Sequence, residues 1–255
     1  MSIFADYSRY YDLLYRDKDY ESEITYIERL LKQYAPQAKQ LLELGCGTGK
    51  HASLLVQKGY QLWGIDQSET MLTQAESRRL ALSPQQQNQL QFQLGDIRTL
   101  QLSQRFDAVL SLFHVFSYQV SNQDLLSAFI TAKNHLKVGG ILLFDCWYGP
   151  AVLSDRPTVR VKRWEDEQIR ITRIAEPCMD AVQNRVEVNY QVFIEDKQTQ
   201  EITSLQETHQ MRYLFSPEID SLAQQTGFEV IAAFNWMSDR PLSFDSWNAI
   251  FVLRA

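Results

Sequence analysis

Cysteine is scarce: Cys46, Cys146 and Cys178 are the only three in 255 residues, they lie far apart, and no C-x-x-C is present. An odd number at such spacing supports neither a disulfide framework nor a zinc site, so reduced thiols and no metal are expected. Long apolar runs are missing as well. The longest nearly apolar stretch, Ala108 to Phe116, contains Ser111 and His114 and falls far short of the roughly 20 residues of a membrane span. The opening Met1-Ser2-Ile3-Phe4-Ala5-Asp6 has no cationic segment before an apolar run, the pattern a secretory signal requires. Cationic excess is also absent: 25 Lys and Arg against 31 Asp and Glu give a net charge of −6. That balance disfavours a broad face for nucleic acid or an anionic membrane. No period repeats, and the one low-complexity stretch, residues 84–89, reads as a surface loop. These absences leave a soluble cytoplasmic protein with a small-molecule partner, as a monomer or homodimer.

What is present is organised around Leu41-Leu42-Glu43-Leu44-Gly45-Cys46-Gly47-Thr48-Gly49. Three leucines read as a short buried strand, and glycines at alternate positions let the backbone turn sharply and approach a ligand closely. Lys50 to Lys58 follows as a helix that Gly59 ends, and a helix N-terminus behind such a turn offers unpaired N–H groups to a negatively charged group. Ahead of it, Tyr20, Ile24, Ile27, Leu30, Leu31 and Tyr34 recur at helical spacing until Ala35-Pro36. Beyond it, strands at Gln61–Ile65, Leu90–Leu94, Phe106–Leu112 and Ile141–Phe144 alternate with helices after Ser68 and Asn122. That alternation predicts an α/β fold, Rossmann-like and doubly wound on a mainly parallel sheet.

The rhythm changes between Val159 and Phe215, where Ile169, Ile171, Val186, Val188, Tyr190 and Val192 alternate as in antiparallel strands. Arg160, Lys162, Arg163, Arg170 and Arg173 interleave with them, giving the inserted sheet a cationic face. Pro217 to Gly227 reads as a helix, and Phe228–Phe234 and Ile250–Leu253 as closing strands. The expected division is a lid and nucleotide-binding core over 1–147, an inserted sheet over 148–213 suited to cover the cleft, and elements completing the core over 214–255.

Asp66, at the end of the second strand, stands where nucleotide-binding sheets place an acid for the ribose hydroxyls. The glycine spacing is G-x-G-x-G, with Lys50 where a dinucleotide fingerprint needs its third glycine. Glu43-Leu44-Gly45-Cys46-Gly47-Thr48-Gly49 instead resembles, residue for residue, the first motif of class I S-adenosylmethionine (SAM) dependent methyltransferases. Gly95-Asp96-Ile97, Phe106 to Phe113, and Leu136 to Leu143 resemble later motifs in the right order. The resemblance implies SAM as cofactor, with S-adenosylhomocysteine (SAH) as product. The cofactor-binding residues expected from it are Tyr11, Tyr15, Gly45, Cys46, Gly47, Gly49, Asp66, Gln67, Met71, Asp96, Ile97 and Leu112.

Within that family the chain is similar to N,N-dimethyltransferases of nucleotide-linked amino sugars. The likeness runs through the aromatic opening Asp6 to Arg16, Trp147-Tyr148 with Pro150, Glu207-Thr208-His209 and Leu214-Phe215. It implies a lid in which Tyr7 and Tyr11 border the sulfonium. It also puts Tyr118, matching a position that carries His or Tyr near the acceptor, in the catalytic role, with His114 as substitute and Tyr7 beside them. Trp147, Tyr148, Arg170 and His209 are the expected substrate contacts, and Arg160, Arg170 and Arg173 are suited to a diphosphate. The chain departs from the subgroup in having Glu43-Leu44-Gly45 for Asp-Val-Ala, and His114 where a small polar residue is expected. The expected activity is methyl transfer from SAM to an amino or hydroxyl group of a small polar metabolite such as a nucleotide-linked sugar. An unrelated O-methyl acceptor and a non-catalytic SAM-binding module remain open. A nicotinamide oxidoreductase is disfavoured by the glycine spacing and by Asn122 where a Tyr-x-x-x-Lys pair would put lysine; DNA-base methylation is disfavoured because no N-P-P-Y or D-P-P-Y follows the fourth strand.

Overall fold

The computed structural model describes residue 11 and residues 13–255. The expected role of Tyr7, and the rest of the opening segment through Tyr10, lie outside the described residues.

Helix α1 (Tyr20–Tyr34) starts where the Asp19 carboxylate accepts the Ser22 N–H at 2.9 Å and stops at Ala35, before Pro36. Its Ile24, Ile27, Leu30 and Leu31 are fully buried, as their i, i+3, i+7 spacing requires. Then follow β1 (Gln40–Leu44), α2 (Lys50–Gln57), β2 (Gln61–Asp66), α3 (Glu69–Leu80), the single-turn α4 (Pro84–Gln87), β3 (Leu90–Leu94), β4 (Phe106–Ser111), α5 (Asn122–Asn134) and β5 (Leu136–Trp147). The remaining elements are α6 (Gly149–Ser154), β6 (Arg160–Glu165), β7 (Ile169–Asp180), β8 (Arg185–Asp196), β9 (Ile202–Arg212), α7 (Ser216–Thr226), β10 (Glu229–Asn235) and β11 (Asn248–Arg254).

Seven strands form one sheet in the order β10-β11-β5-β4-β1-β2-β3, parallel from β3 to β5 and antiparallel at β11 and β10. One face packs against α1 and α2 through Ile27, Leu30, Leu41, Leu55 and Leu110; the other packs against α5 and α7 through Phe106, Phe129, Phe144 and Phe251. This is a Rossmann-like, doubly wound sheet. The strand order reverses at β1, which pairs with β2 on one side and β4 on the other. Open α/β sheets bind their ligands at the carboxyl end of such a reversal.

Strands β6 to β9 make a separate four-stranded antiparallel meander. Its Trp164, Ile171, Val192 and Ile194 form a small core that receives Tyr11, Leu13, Leu14 and Tyr15. Tyr11 and residues 13–15 therefore dock on the inserted sheet. A buried Arg212 ties β9 to the core, bonding Glu218, the Asn122 amide oxygen at 2.6 Å and the Val120 carbonyl at 3.4 Å.

Two local expectations change. Residues 84–87 are helical rather than loop, because the Ser83 hydroxyl and the Gln86 side chain cap each other's backbone N–H. Strand β5 begins at Leu136, not Ile141: Leu136 pairs with Phe106 before a bulge at Gly139 (φ +77°), and pairing resumes at Ile141 opposite Ala108. Among the described residues no helix is long and apolar enough to cross a membrane, and no cluster of His, Cys, Asp and Glu could hold a metal ion.

Candidate active site

A cavity of about 810 Å³ opens at the carboxyl ends of β1, β2 and β4 and is roofed by the inserted sheet. Its floor is the glycine turn. Gly45 has φ +79°, and a Cβ there would lie 2.5 Å from both methyl groups of Val115. Gly47, at φ +54°, has no atom of the described residues within 4 Å of where its Cβ would be. It faces open space. Gly49 is not part of the lining; a Cβ on it would meet the Phe92 ring at 2.6 Å, so its role is to let α2 pack against β3 and α3. Cys46 lines the cavity, and burial pushes its thiol pKa well up, away from nucleophilic use.

Asp66 lies beside the turn. One carboxylate oxygen accepts the Gly47 N–H at 2.8 Å and the other accepts the Ser68 N–H at 2.9 Å, while burial raises its pKa. Ser68 in turn caps α3, accepting from Met71 N at 3.3 Å, which brings Gln67 and Met71 to the wall. Asp96 and Ile97 complete this side. Arg98 grips Asp96 through its guanidinium and also donates its backbone N–H at 2.9 Å, holding the carboxyl below the usual range.

Behind the turn runs a buried acid–histidine chain that the sequence analysis does not anticipate. Glu43 is 1 % exposed, and burial together with the nearby Asp66 charge pushes its pKa up to about 8. His51 Nδ1 lies 3.7 Å from Glu43 Oε1, and its Nε2 lies 2.8 Å from Glu23, which also pairs with Lys18. His51 therefore links α1 to the strand beneath the turn.

The loop after β4 holds the third group. Phe113 and His114 both adopt left-handed backbone, φ +65° and +64°, a conformation that costs on the order of 1–3 kcal/mol for each non-glycine residue. The fully buried Asp145 on β5 holds it, accepting the His114 N–H at 3.2 Å, with His114 Nδ1 a further 2.6 Å contact outside hydrogen-bond alignment. This loop presents Leu112, Phe113 and His114 to the cavity, and Tyr15 meets the Phe113 ring edge-on at 5.1 Å.

Above them, the Tyr118 hydroxyl lies 2.9 Å from His209 Nδ1 on β9, and His209 Nε2 lies 3.1 Å from Glu207. The Tyr190 ring stands edge-on to His209 at 4.9 Å. Arg173 stacks within 5.1–5.6 Å of Tyr190, Trp164 and Tyr15 and donates to the Tyr15 hydroxyl at 3.3 Å. With Arg160 and Lys162 it makes one cationic wall.

Of the residues named from sequence, Tyr11, Tyr15, Gly45, Cys46, Gly47, Asp66, Gln67, Met71, Asp96, Ile97, Leu112, His114, Tyr118, Trp147 and His209 all line this cavity. Arg170 does not. It lies three positions from Arg173, hence on the opposite face of β7, where it pairs with Glu165 and Glu195 at the surface. Tyr148 is also outside: it is 8 % exposed, and its hydroxyl bonds the Ser216 hydroxyl at 3.0 Å. Trp147 points to the cavity and its neighbour away, as successive strand residues must. Glu207, Tyr190 and Asp145 were missed as site residues; the two-residue spacing of Glu207 and His209 was a readable sign that they share a face.

Residues 41–140 match the family described as "Methyltransferase domain". The dTDP-3-amino-3,4,6-trideoxy-α-D-glucopyranose N,N-dimethyltransferase of Streptomyces venezuelae is 32 % identical over 153 residues, 59 % of this chain. The chain spans only 61 % of that relative's length. The dTDP-3-amino-3,6-dideoxy-α-D-glucopyranose N,N-dimethyltransferase of Streptomyces fradiae is 27 % identical over 84 % of this chain and 81 % of its own. The crystal structure of Streptomyces venezuelae DesVI superposes with a TM-score of 0.80 at 24 % identity, covering 98 % of each chain. Residues 41–140 thus match a methyltransferase domain, and the chain shares the Rossmann-like fold of this crystal structure, with its added antiparallel sheet.

Proposed function

We propose that this protein is a SAM-dependent N-methyltransferase whose acceptor is the amino group of a nucleotide-linked sugar. The observation that carries the reading is one continuous cavity, with the glycine turn, Asp66 and Asp96 at one end and Tyr118, His209 and a cationic wall at the other.

The residues of the first end fit an adenosyl group. The Asp66 carboxylate accepts backbone N–H groups of Gly47, Ser68 and Gln67, and its two oxygens offer about four acceptor positions. That leaves capacity for a ribose hydroxyl donor. Gly47 leaves the space beside it open. Asp66, Gln67 and Met71 would hold the ribose side and Asp96 and Ile97 the base side. When bound, the sulfonium supplies an electrophilic methyl group and a neutral thioether leaving group.

The chain's own work is alignment, exclusion of water and handling of a proton. Tyr11, Tyr15, Phe113, Trp147 and Tyr190 give the acceptor end an aromatic wall that excludes water. Arg160, Lys162 and Arg173 match the charge of a diphosphate. Tyr118, which lines the cavity beside His209, would orient the amine. The names of three relatives support this class, since each is a dimethyltransferase of a dTDP-linked amino sugar.

Thermal-shift titration with SAM, SAH, NADH and NADPH is the first test, because a ligand of the folded state raises the melting temperature. Stabilisation by the adenosyl compounds alone is expected. Incubation with SAM and dTDP-3-amino-3,4,6-trideoxyglucose should then yield mono- and dimethylated products by mass spectrometry. Stabilisation by a nicotinamide cofactor alone refutes the reading.

A further inference from the structure

Tyr118 and His209 are 91 residues apart in sequence, yet the fold sets hydroxyl against imidazole at 2.9 Å and closes the row with Glu207 at 3.1 Å. His209 is 4 % exposed and Glu207's side chain 9 %. A buried carboxylate beside an imidazole is either a structural ion pair or the far end of a proton path. The order of the row, with the phenol at the cavity and the acid behind, fits the second.

We propose that Tyr118, His209 and Glu207 form a proton relay that deprotonates the acceptor amine, with Glu207 as the positioning residue that fixes the tautomer of His209. The proposal rests on the acceptor being an amine, the reading given above.

A carboxylate only accepts hydrogen bonds, so Glu207 requires the proton of neutral His209 on Nε2. Nδ1 is then the acceptor for the Tyr118 hydroxyl. Burial pushes the Tyr118 pKa well up, so the phenol stays protonated and passes a proton on instead of storing a charge. The acceptor arrives as an ammonium, whose nitrogen has no lone pair to attack with. One N–H proton moves to the Tyr118 oxygen as the hydroxyl's own proton moves to His209 Nδ1. The resulting imidazolium is paired with Glu207. The freed lone pair forms the N–C bond to the methyl carbon while the C–S bond of the sulfonium donor breaks, its electron pair staying on sulfur as a neutral thioether. The product leaves as an N-methylammonium, and the imidazolium returns its proton to solvent.

Among the described residues, the charged and titratable groups that face Tyr118 and His209 include Tyr15, Arg173 of β7, Tyr190 of β8 and Glu207 of β9. Among them Glu207 is the one acid, and it lies 3.1 Å from His209 Nε2.

Nitrogen-15 NMR of imidazole-labelled wild-type protein at pH 8 reads the tautomer directly, and His209→Gln assigns the signal among four histidines. The proton is expected on Nε2. Glu207→Gln keeps an acceptor and loses the charge: the acidic limb of kcat/KM, measured with dTDP-3-amino-3,4,6-trideoxyglucose, should shift down by about one pH unit. The plateau should fall roughly 10- to 100-fold. A merely structural Glu207 would lower activity without moving the limb. A proton on Nδ1 in the wild type overturns the relay, and that measurement stands even if Glu207→Gln does not fold. Wild-type turnover with an unmoved limb in Glu207→Gln overturns the relay and leaves the amine reading intact. Wild type that binds SAM but leaves the probe sugar unmethylated overturns the amine reading, and the relay's direction with it.

Discussion

Replacing Glu43 by glutamine should make the protein progressively more stable than wild type as pH rises. Glu43 is wholly buried under the glycine turn, near the Asp66 charge, and its pKa is pushed from 4.5 to about 8. One of its oxygens, Oε2, has no hydrogen-bond partner among the described residues. Below pH 4.5 the carboxyl is protonated in both folded and unfolded chains and contributes no pH dependence. Between 4.5 and 8 the folded chain keeps the proton and the unfolded chain loses it, so stability falls with rising pH. Above 8 both are ionised and the full penalty is present. Across that window of about 3.5 pH units, at 1.36 kcal/mol each, the loss comes to about 5 kcal/mol. The glutamine variant has no such transition. Its amide imposes a constant offset, but the difference between the two proteins should open with pH by several kcal/mol, roughly 10 °C in melting temperature for a chain of this size. Calorimetric melts of both proteins at half-unit steps from pH 5 to 9 measure it. A difference that stays flat or narrows would show that Glu43 is ionised in the folded protein at neutral pH, and that the assigned burial penalty is wrong.

Other perturbations separate the two ends of the cavity. Asp66→Asn puts an amide where a carboxylate accepts backbone N–H groups; SAH affinity should weaken by about 1.5–3 kcal/mol per lost charged hydrogen bond, and unchanged affinity by titration calorimetry would move the ribose site elsewhere. Gly45→Ala drives a Cβ to 2.5 Å from the Val115 methyls and should destabilise by about 2–5 kcal/mol through strain and overpacking. Gly47→Ala meets open space and should lose only about 1–2 kcal/mol of stability while SAH binding collapses; equal melting temperatures for the two variants would contradict the turn's geometry. Arg173→Gln should raise the KM of a diphosphate-linked acceptor about 10- to 100-fold without changing SAH affinity, and an unaltered KM would take Arg173 out of acceptor binding.

The fold was legible wherever a local rule applied. The run Leu41 to Gly49, the caps at Asp19 and Ser68, and the helical spacing in α1 are each decided by residues close in sequence. So were the acids at strand ends, because alternation of strand and helix already implies where those ends converge. The Ser83–Gln86 capping box is equally local, but a glutamine-rich composition masks it. Arg170 shows a different kind of miss. Period-two alternation alone separates it from Arg173, so its place on the outer face was available from counting.

What no local rule supplies is which face of the inserted sheet looks down. That is set by how Leu13, Leu14 and Tyr15 dock on Trp164 and Ile171, and by Arg212 anchoring β9 to Glu218 and Asn122. Most of those contacts join segments far apart in the chain. The left-handed pair Phe113-His114 belongs to the same class, since it exists only because Asp145 on the neighbouring strand accepts the His114 N–H. The family match ends at residue 140, and β6 to β9, with Arg173, Tyr190, Glu207 and His209, lie entirely beyond it. The half of the cavity that sequence rules describe is therefore the half that lies within the matched domain. The other half is built from pairings across the insertion, where a one-residue slip in register would turn the cationic wall and the Tyr118–His209 contact out to solvent.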